Sequence, residues 1–422
     1  MSLNQTPSAN RIHIGIFGRR NAGKSSLLNA LTSQSLSIVS PVKGTTTDPV
    51  QKTMELLPLG PVVLIDTPGL DDVGELGEKR VQKAFQALNK TDLVLLVADY
   101  SEGLSACEYD LLEAVRKKQL PCILVWNKWD LATVSSGENV CSSQKPAASG
   151  NLPAAAQNLP AAASENLPSI CVSASLGWHI RELKELIGKT FPQKQQAPLI
   201  RDLVRPSDLV VLVIPIDTSA PKGRLILPQQ QVIRDLLDGG AVSVVASDAE
   251  LPQVLASFQK DPALVVCDSQ VFHKVSPAVP LSVPLTSFSI LFARYKGCLP
   301  SLAKGASFLD DLEDGSHILI CEGCTHHRQC EDIGTVKLPA WIRQHTNKEF
   351  QFSFTSGTEF PADLNSYDFI IHCGSCMLPD REFQHRVRCA KDAGIPITNY
   401  GTVIAHMRGI LERSLEPFQH LL

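Results

Sequence analysis

The run Arg11 to Phe17 alternates apolar residues and leads into Gly18-Arg-Arg-Asn-Ala-Gly-Lys-Ser25. Ser26-Leu-Leu-Asn-Ala-Leu31 then continues at helical spacing. Strand, G-x-x-x-x-G-K-S loop and helix are the setting of a phosphate-binding loop. Its glycines let backbone N–H groups converge on phosphate oxygens at a helix N-terminus, where the dipole favours anions. Gly18, Asn21, Ala22, Gly23, Lys24, Ser25 and Ser26 are therefore the expected phosphate contacts. Lys24 reaches the β- and γ-phosphates and Ser25 ligates Mg²⁺. A chance Gly-rich turn could match this motif alone, but it would not bring the three that follow.

Val62-Val-Leu-Ile-Asp-Thr-Pro-Gly69 is an apolar strand ending in Asp66-x-x-Gly69. Asp66 suits an aspartate that holds Mg²⁺ through water, and Gly69 an N–H that faces the γ-phosphate. Cys122-Ile-Leu-Val-Trp126 leads into Asn127-Lys-Trp-Asp130. The Asp130 carboxylate can accept from guanine N1–H and the 2-amino group, donors that adenine lacks. Asn127, Lys128 and Asp130 thus select GTP, and Ser173 and Ala174, after a further apolar run, offer N–H groups to guanine O6. The order and the strand-end placement together leave chance little room.

Two stretches further on carry thiols. Ser316-His-Ile-Leu-Ile-Cys-Glu-Gly-Cys-Thr-His326 ends an apolar run in Cys321-x-x-Cys324, and Tyr367-Asp-Phe-Ile-Ile-His-Cys-Gly-Ser-Cys376 ends another in Cys373-x-x-Cys376. Short apolar runs bounded by turn residues read as buried strands. Two such strands with thiols at their carboxyl ends suggest one shared site at a sheet edge. A four-thiol zinc site through Cys321, Cys324, Cys373 and Cys376 is the simplest reading. Against it, each pair caps a buried strand, whereas zinc knuckles bring flexible turns. The remaining cysteines, of twelve in the chain, are mostly scattered singly and read as small buried hydrophobes. CxxC pairs used as ligands point to a reducing, cytoplasmic compartment.

The rest of the chain adds architecture. At 422 residues it can hold two to four domains. The formal net charge of -4 gives no reason to expect a nucleic-acid or membrane-surface binder. No signal peptide and no apolar run of membrane-spanning length stands out. A P-loop GTPase domain is expected over 1–192, with a Pro/Ala-rich insertion of about 134–168 built from near-copies of Asn-Leu-Pro-Ala-Ala-Ala, which reads as disordered. Strand and helix patterns then alternate over 197–286, a scaffold or dimerisation domain, and again over 287–422, the thiol-bearing domain. The fold class is α/β: a GTPase domain followed by two smaller α/β domains with largely parallel sheets.

The first domain resembles the translation-factor-like GTPases, more narrowly the tRNA-modification and Era-type groups. Leu70 follows Asp66-Thr-Pro-Gly69, where Ras-like proteins have the glutamine that orients the attacking water. By this resemblance Asn21 helps to hold a K⁺ that replaces an arginine finger. Gly44-Thr-Thr-Thr-Asp-Pro49 looks like switch I, with Thr46 closing on Mg²⁺; Asn21, Lys24, Thr46 and Gly69 are the implied catalytic set. Hydrolysis is expected to be slow and faster in K⁺ than in Na⁺.

Cys324-Thr-His326 and His372-Cys-Gly-Ser-Cys376 resemble the C-x-H…H-C-x-x-C signature of HydF, the FeFe-hydrogenase maturation GTPases. Asp332-Ile-Gly334 and Asn399-Tyr-Gly-Thr402 also look similar to that family. The resemblance implies a homodimer in which Cys324, Cys373 and Cys376 ligate a 4Fe–4S cluster. It leaves the fourth iron to an exchangeable ligand: His326, His372 or a nearby carboxylate. Cys321, which the signature does not require, would close the site if it bound. Radical-SAM hydrogenase maturases and apo FeFe-hydrogenase are the implied partners, and a transient di-iron precursor the cargo. A GTPase acting in tRNA modification or ribosome assembly, or a zinc-stabilised GTP-binding module, are the alternatives.

Overall fold

The computed structural model describes residues 11–33, 50–71, 75–131, 167–191, 198–216, 225–323, 332–357, 359–361 and 363–422. Switch I with Thr46, most of the Pro/Ala-rich insertion, and Cys324 and His326 lie outside the described residues. The chain divides into two compact units, residues 1–194 and 195–422.

The first unit is a six-stranded sheet in the order β2-β3-β1-β4-β5-β6. Its strands are β1 (Ile12–Phe17), β2 (Val50–Leu56), β3 (Gly60–Asp66), β4 (Leu93–Asp99), β5 (Cys122–Asn127) and β6 (Ser169–Cys171). Helices α1 (Lys24–Ser33), α2 (Glu75–Leu88), α3 (Ala106–Lys117) and α4 (Ile180–Thr190) alternate with them. β2 runs antiparallel to β3, and every other pairing is parallel. β1, β3 and β5 carry the phosphate-loop, Asp66-x-x-Gly69 and Asn127-Lys-Trp-Asp130 motifs at their ends. β4, Leu-Val-Leu-Leu-Val-Ala-Asp, is buried at every position, which is why it reads as an unbroken apolar run and not as an alternation.

The second unit holds two four-stranded parallel sheets over one continuous apolar core. The first, ordered β10-β9-β7-β8, is built from β7 (Leu209–Val213), β8 (Val242–Ala246), β9 (Leu264–Cys267) and β10 (Leu285–Ser287). α5 (Leu227–Asp238), α6 (Leu251–Ala256) and α7 (Phe272–Ala278) connect them. β10 pairs with β9, so the strand at 285–287 completes this sheet. Two linking helices follow, α8 (Phe288–Tyr295) and α9 (Leu299–Ala306).

The second sheet, ordered β12-β11-β13-β14, comprises β11 (His317–Glu322), β12 (Gln351–Ser356), β13 (Phe369–His372) and β14 (Ile397–Asn399). Its helices are α10 (Leu338–Thr346), α11 (Asp380–Asp392), α12 (Tyr400–Met407) and α13 (Leu411–Leu415). In open parallel sheets a crevice forms where the strand order reverses, beyond the carboxyl ends of the strands. The phosphate loop follows β1, which lies between β3 and β4. Cys321 lies near the end of β11 and Cys373 directly follows β13, and β11 lies between β12 and β13. One topological rule places both sites.

Candidate functional site

In the first unit the loop between β1 and α1 packs close to its neighbours. A Cβ at Gly18 would lie 2.1 Å from the Val97 carbonyl oxygen, and one at Gly23, where φ is +92°, would lie 2.1 Å from Asn127 Nδ2. Asn21 also takes a left-handed conformation, at φ 61°. Lys24 is buried, and its Nζ donates to the carbonyls of Gly18 (3.0 Å) and Arg19 (2.7 Å), which holds the ammonium over the loop. Ser25 and Ser26 are exposed in the first turn of α1.

Ser25 Oγ donates to Asp66 Oδ2 at 2.6 Å. The other oxygen, Asp66 Oδ1, is buried with no hydrogen-bond partner among the described residues. Burial raises the Asp66 carboxyl above its usual range, although Ser25 and Lys24 oppose the shift. An orphaned carboxylate oxygen beside a serine hydroxyl fits a dication, which would stabilise the anion that burial disfavours. Gly69 is buried against the loop, a Cβ there lying 3.0 Å from the Arg20 nitrogen. Leu70 is 5% exposed and packs in the core, so its side chain has no access to a water.

Asn127 unites the base side of the site. Its Nδ2 donates to the Ala22 carbonyl at 2.9 Å, and its Oδ1 accepts from the Ala174 N–H at 3.0 Å. One amide thereby ties together three motifs, lying 105 residues from Ala22 and 47 from Ala174 in sequence. Lys128, at φ 62°, pairs with Asp99 at the end of β4 (2.8 Å). The partly buried Asp130 follows Trp129, whose N–H donates to the Val172 carbonyl, and the fully buried Ser173 pairs with Trp178 across the adjoining turn.

In the second unit the thiol site is asymmetric. Cys373 comes directly after β13, and its N–H donates to the Cys321 carbonyl at 2.8 Å. Its Sγ accepts from the N–H groups of Gly323 (3.0 Å) and Ser375 (3.3 Å), with Ser375 turned to φ 53°. Burial outweighs both contacts and raises the Cys373 thiol; it pushes Cys376 up to about 11. Beneath the turn lies a buried cation: Lys296, 3% exposed, donates from Nζ to the carbonyls of Ser375 and Leu378, both at 2.7 Å. Two thiols on one turn fit a thiolate-ligated centre, because the N–H donors on Cys373 and the Lys296 ammonium beside Cys376 favour the anionic sulfur.

Cys321 behaves differently. β11 extends past it to Glu322 and pairs it with Thr355 and His372, so the Cys321 side chain is wholly buried. Burial pushes its thiol up to about 11, with the neighbouring Thr355 hydroxyl opposing the shift. Among the described residues it does not join Cys373 and Cys376 in a set of three ligand atoms within 4.8 Å of one another. His372 is also buried, with both ring nitrogens engaged. Nδ1 donates to the Cys373 carbonyl at 3.0 Å, and Nε2 accepts from Arg386 Nη1 at 3.1 Å. Burial and the Arg386 charge drive its pKa down to about 3, so the ring is neutral and acts to hold the Cys373 backbone.

Asp332-Ile-Gly334 and Asn399-Tyr-Gly-Thr402 meet beside this turn. A Cβ at Gly334 would lie 2.2 Å from the Tyr400 hydroxyl, which donates to the buried Glu322 carboxylate at 3.4 Å. Lys296, Arg386 and its partner Glu382 were not legible in the sequence. The i,i+4 spacing of Glu382 and Arg386 is visible, but on a helix it reads as a solvent-exposed pair. Asp99, the Lys128 partner, was hidden at the end of the undetected β4.

Residues 13–128 match the model of the 50S ribosome-binding GTPase family. Residues 199–297 match the hydrogen maturase F dimerization domain, and 300–417 the hydrogen maturase F tetramerization domain. The tRNA modification GTPase MnmE of Helicobacter acinonychis is 37% identical over 131 residues, covering 31% of this chain and 29% of that protein. GTPase Der of Chloroflexus aggregans is 37% identical over 130 residues, covering 30% and 28% respectively. GTPase Der of Wolinella succinogenes is 35% identical over 192 residues, covering 45% and 37%. The chain thus spans between 28% and 37% of these relatives' own length. Among the described residues, no helix is long and apolar enough to cross a membrane.

Proposed function

The chain belongs to the hydrogen maturase F family and carries a GTPase domain, and from that premise we propose a GTP-hydrolysing scaffold that carries an iron–sulfur centre. It assembles the di-iron precursor of the FeFe-hydrogenase active site and hands it to the apo-enzyme. Radical-SAM maturases supply that precursor, and the working unit is a homodimer in the cytoplasm. Cys324, Cys373 and Cys376 hold a 4Fe–4S cluster, which offers an iron with an exchangeable fourth ligand. The observation that carries the reading is the Cys373–Cys376 turn. It lies inside the region that matches the tetramerization domain and combines backbone N–H donors to a sulfur with the buried ammonium of Lys296, which falls in the dimerization-domain match.

This chain's own residues supply the surroundings. Lys296 offsets negative charge on the sulfurs, and His372 fixes the Cys373 carbonyl. Cys321 stands apart as a buried thiol. In the first unit Ser25, Asp66 and Thr46 hold Mg²⁺. Lys24 and the Gly69 N–H neutralise the γ-phosphate, and Asn127, Lys128, Asp130, Ser173 and Ala174 read guanine. Asn21 would help to hold a K⁺ that would supply the positive charge of an arginine finger, while Leu70, committed to the core, does not orient the water.

Anaerobic reconstitution with iron and sulfide, followed by EPR of the reduced protein, tests the cluster. A cubane signal is expected, lost in Cys324→Ala, Cys373→Ala and Cys376→Ala and kept in Cys321→Ala. A colourless protein with stoichiometric zinc would end the proposal, and loss of the signal in Cys321→Ala would make Cys321 a ligand. GTP turnover should be severalfold faster in K⁺ than in Na⁺ at equal ionic strength, with the difference abolished in Asn21→Ala. Equal wild-type rates in the two salts would remove the K⁺ role.

A further inference from the structure

Away from the thiols and the nucleotide loop, three side chains from separate elements of the second unit converge. Asp310 follows the short turn Ser307–Leu309 after α9, His345 is the penultimate residue of α10, and His406 is the penultimate residue of α12. His345 Nε2 lies 2.9 Å from Asp310 Oδ1, and His406 Nε2 lies 2.8 Å from Asp310 Oδ2. The two rings meet edge-on, with centroids 5.8 Å apart. All three ligand atoms lie within 4.8 Å of one another, the only such set among the described residues.

We propose that Asp310, His345 and His406 form a divalent-metal site of the zinc, cobalt and nickel class, with at least one position open to water. Imidazole nitrogen selects these borderline metals over Mg²⁺ and Ca²⁺, which prefer all-oxygen sites. Metal–ligand bonds of about 2.0–2.2 Å in tetrahedral geometry put ligand atoms roughly 3.4 Å apart. The present spacing therefore needs the carboxylate to withdraw by about half an ångström, which a rotation of the half-exposed Asp310 side chain provides.

The electrostatics suit a cation. Two helix C-termini, whose last carbonyls carry partial negative charge, deliver the two histidines, and Asp310 adds a full negative charge. Neighbouring cations are already occupied. Lys348 Nζ donates to the carbonyls of Leu312 (2.5 Å) and Asp310 (3.4 Å), which fixes the backbone of the aspartate, and Arg408 stacks on the Trp341 ring. A bound metal would pin the ends of α9, α10 and α12 together at the surface.

The test uses the full chain with Cys324, Cys373 and Cys376 all changed to serine, free of GTP, titrated with cobalt chloride and then with zinc chloride. One equivalent of Co²⁺ should bind with visible d–d bands and no thiolate charge-transfer band, and zinc should displace it. His345→Gln and His406→Gln should each weaken binding by more than the roughly 10–100-fold that follows loss of an outer-shell partner. Asp310→Asn should weaken it in the same direction. Should the triple-serine chain fail to fold, the native protein alkylated with iodoacetamide takes its place, with circular dichroism confirming the fold. Binding weaker than about 1 mM, or affinity unchanged in the His345→Gln/His406→Gln double variant, would overturn the proposal.

Discussion

Replacing Arg386 with alanine is expected to destabilise the protein by about 3–5 kcal/mol, the range for removing one partner of a buried ion pair. Arg386 is 0% exposed and lies on α11, where its guanidinium reaches three acceptors. It donates to Glu382 Oε1 (3.0 Å), His372 Nε2 (3.1 Å) and the Gly357 carbonyl (2.9 Å), and it faces the Phe360 ring at 5.3 Å. Without it the Glu382 carboxylate, 3% exposed, is left buried and uncompensated, and His372 loses the donor on Nε2. The mutation should therefore also loosen the Cys373 turn. Urea denaturation followed by circular dichroism reads the stability. Arg386→Met combined with Glu382→Leu should recover much of the loss, because removing both charges leaves no unpaired one. A loss below about 1 kcal/mol in Arg386→Ala would mean that the buried network contributes little.

Gly23→Ala should lower GTP affinity by about 100-fold or more, roughly 3 kcal/mol. At φ +92° any other residue is strained, and here the added carbon would also meet Asn127 Nδ2 at 2.1 Å. Asn127 cannot retreat without giving up the buried Ala22 carbonyl or the partly buried Ala174 N–H, both costly to leave unpaired. The clash therefore reaches the guanine side of the site as well as the phosphate side. Titration with a fluorescent GTP analogue measures the effect. Gly60→Ala serves as the control: its φ is +83°, but nothing lies within 4 Å of the added carbon, so its affinity should match wild type. Because Gly23 and Asn127 act through the same contact, Gly23→Ala and Asn127→Ala should combine far less than additively. Full additivity would show that Asn127 does not couple the two loops.

The two sites differ in how much of them the sequence carried. Gly18, Lys24, Asp66, Asn127, Asp130 and Ser173 were legible because the chemistry of each is bound to a short local pattern at the end of an apolar strand. Cys373 and Cys376 were legible for the same reason. Lys296 and Arg386 were not, since a lone basic residue on or after an amphipathic helix carries no sign that it points inward. Asp310, His345 and His406 lie on three separate elements, and no spacing relates them.

Sequence alone determined the nucleotide chemistry, the α/β alternation and the thiol pairs at strand ends, because local patterning and backbone geometry suffice for each. Tertiary structure alone decided that Cys321 and Cys373 are not equivalent. Their CxxC spacing is identical, but β11 runs one residue beyond Cys321 and β13 stops one residue before Cys373. That difference in strand length buries one sulfur against Thr355 and turns the other towards the N–H groups of Gly323 and Ser375. Strand length is set by pairing with neighbours distant in sequence, and a motif does not contain it.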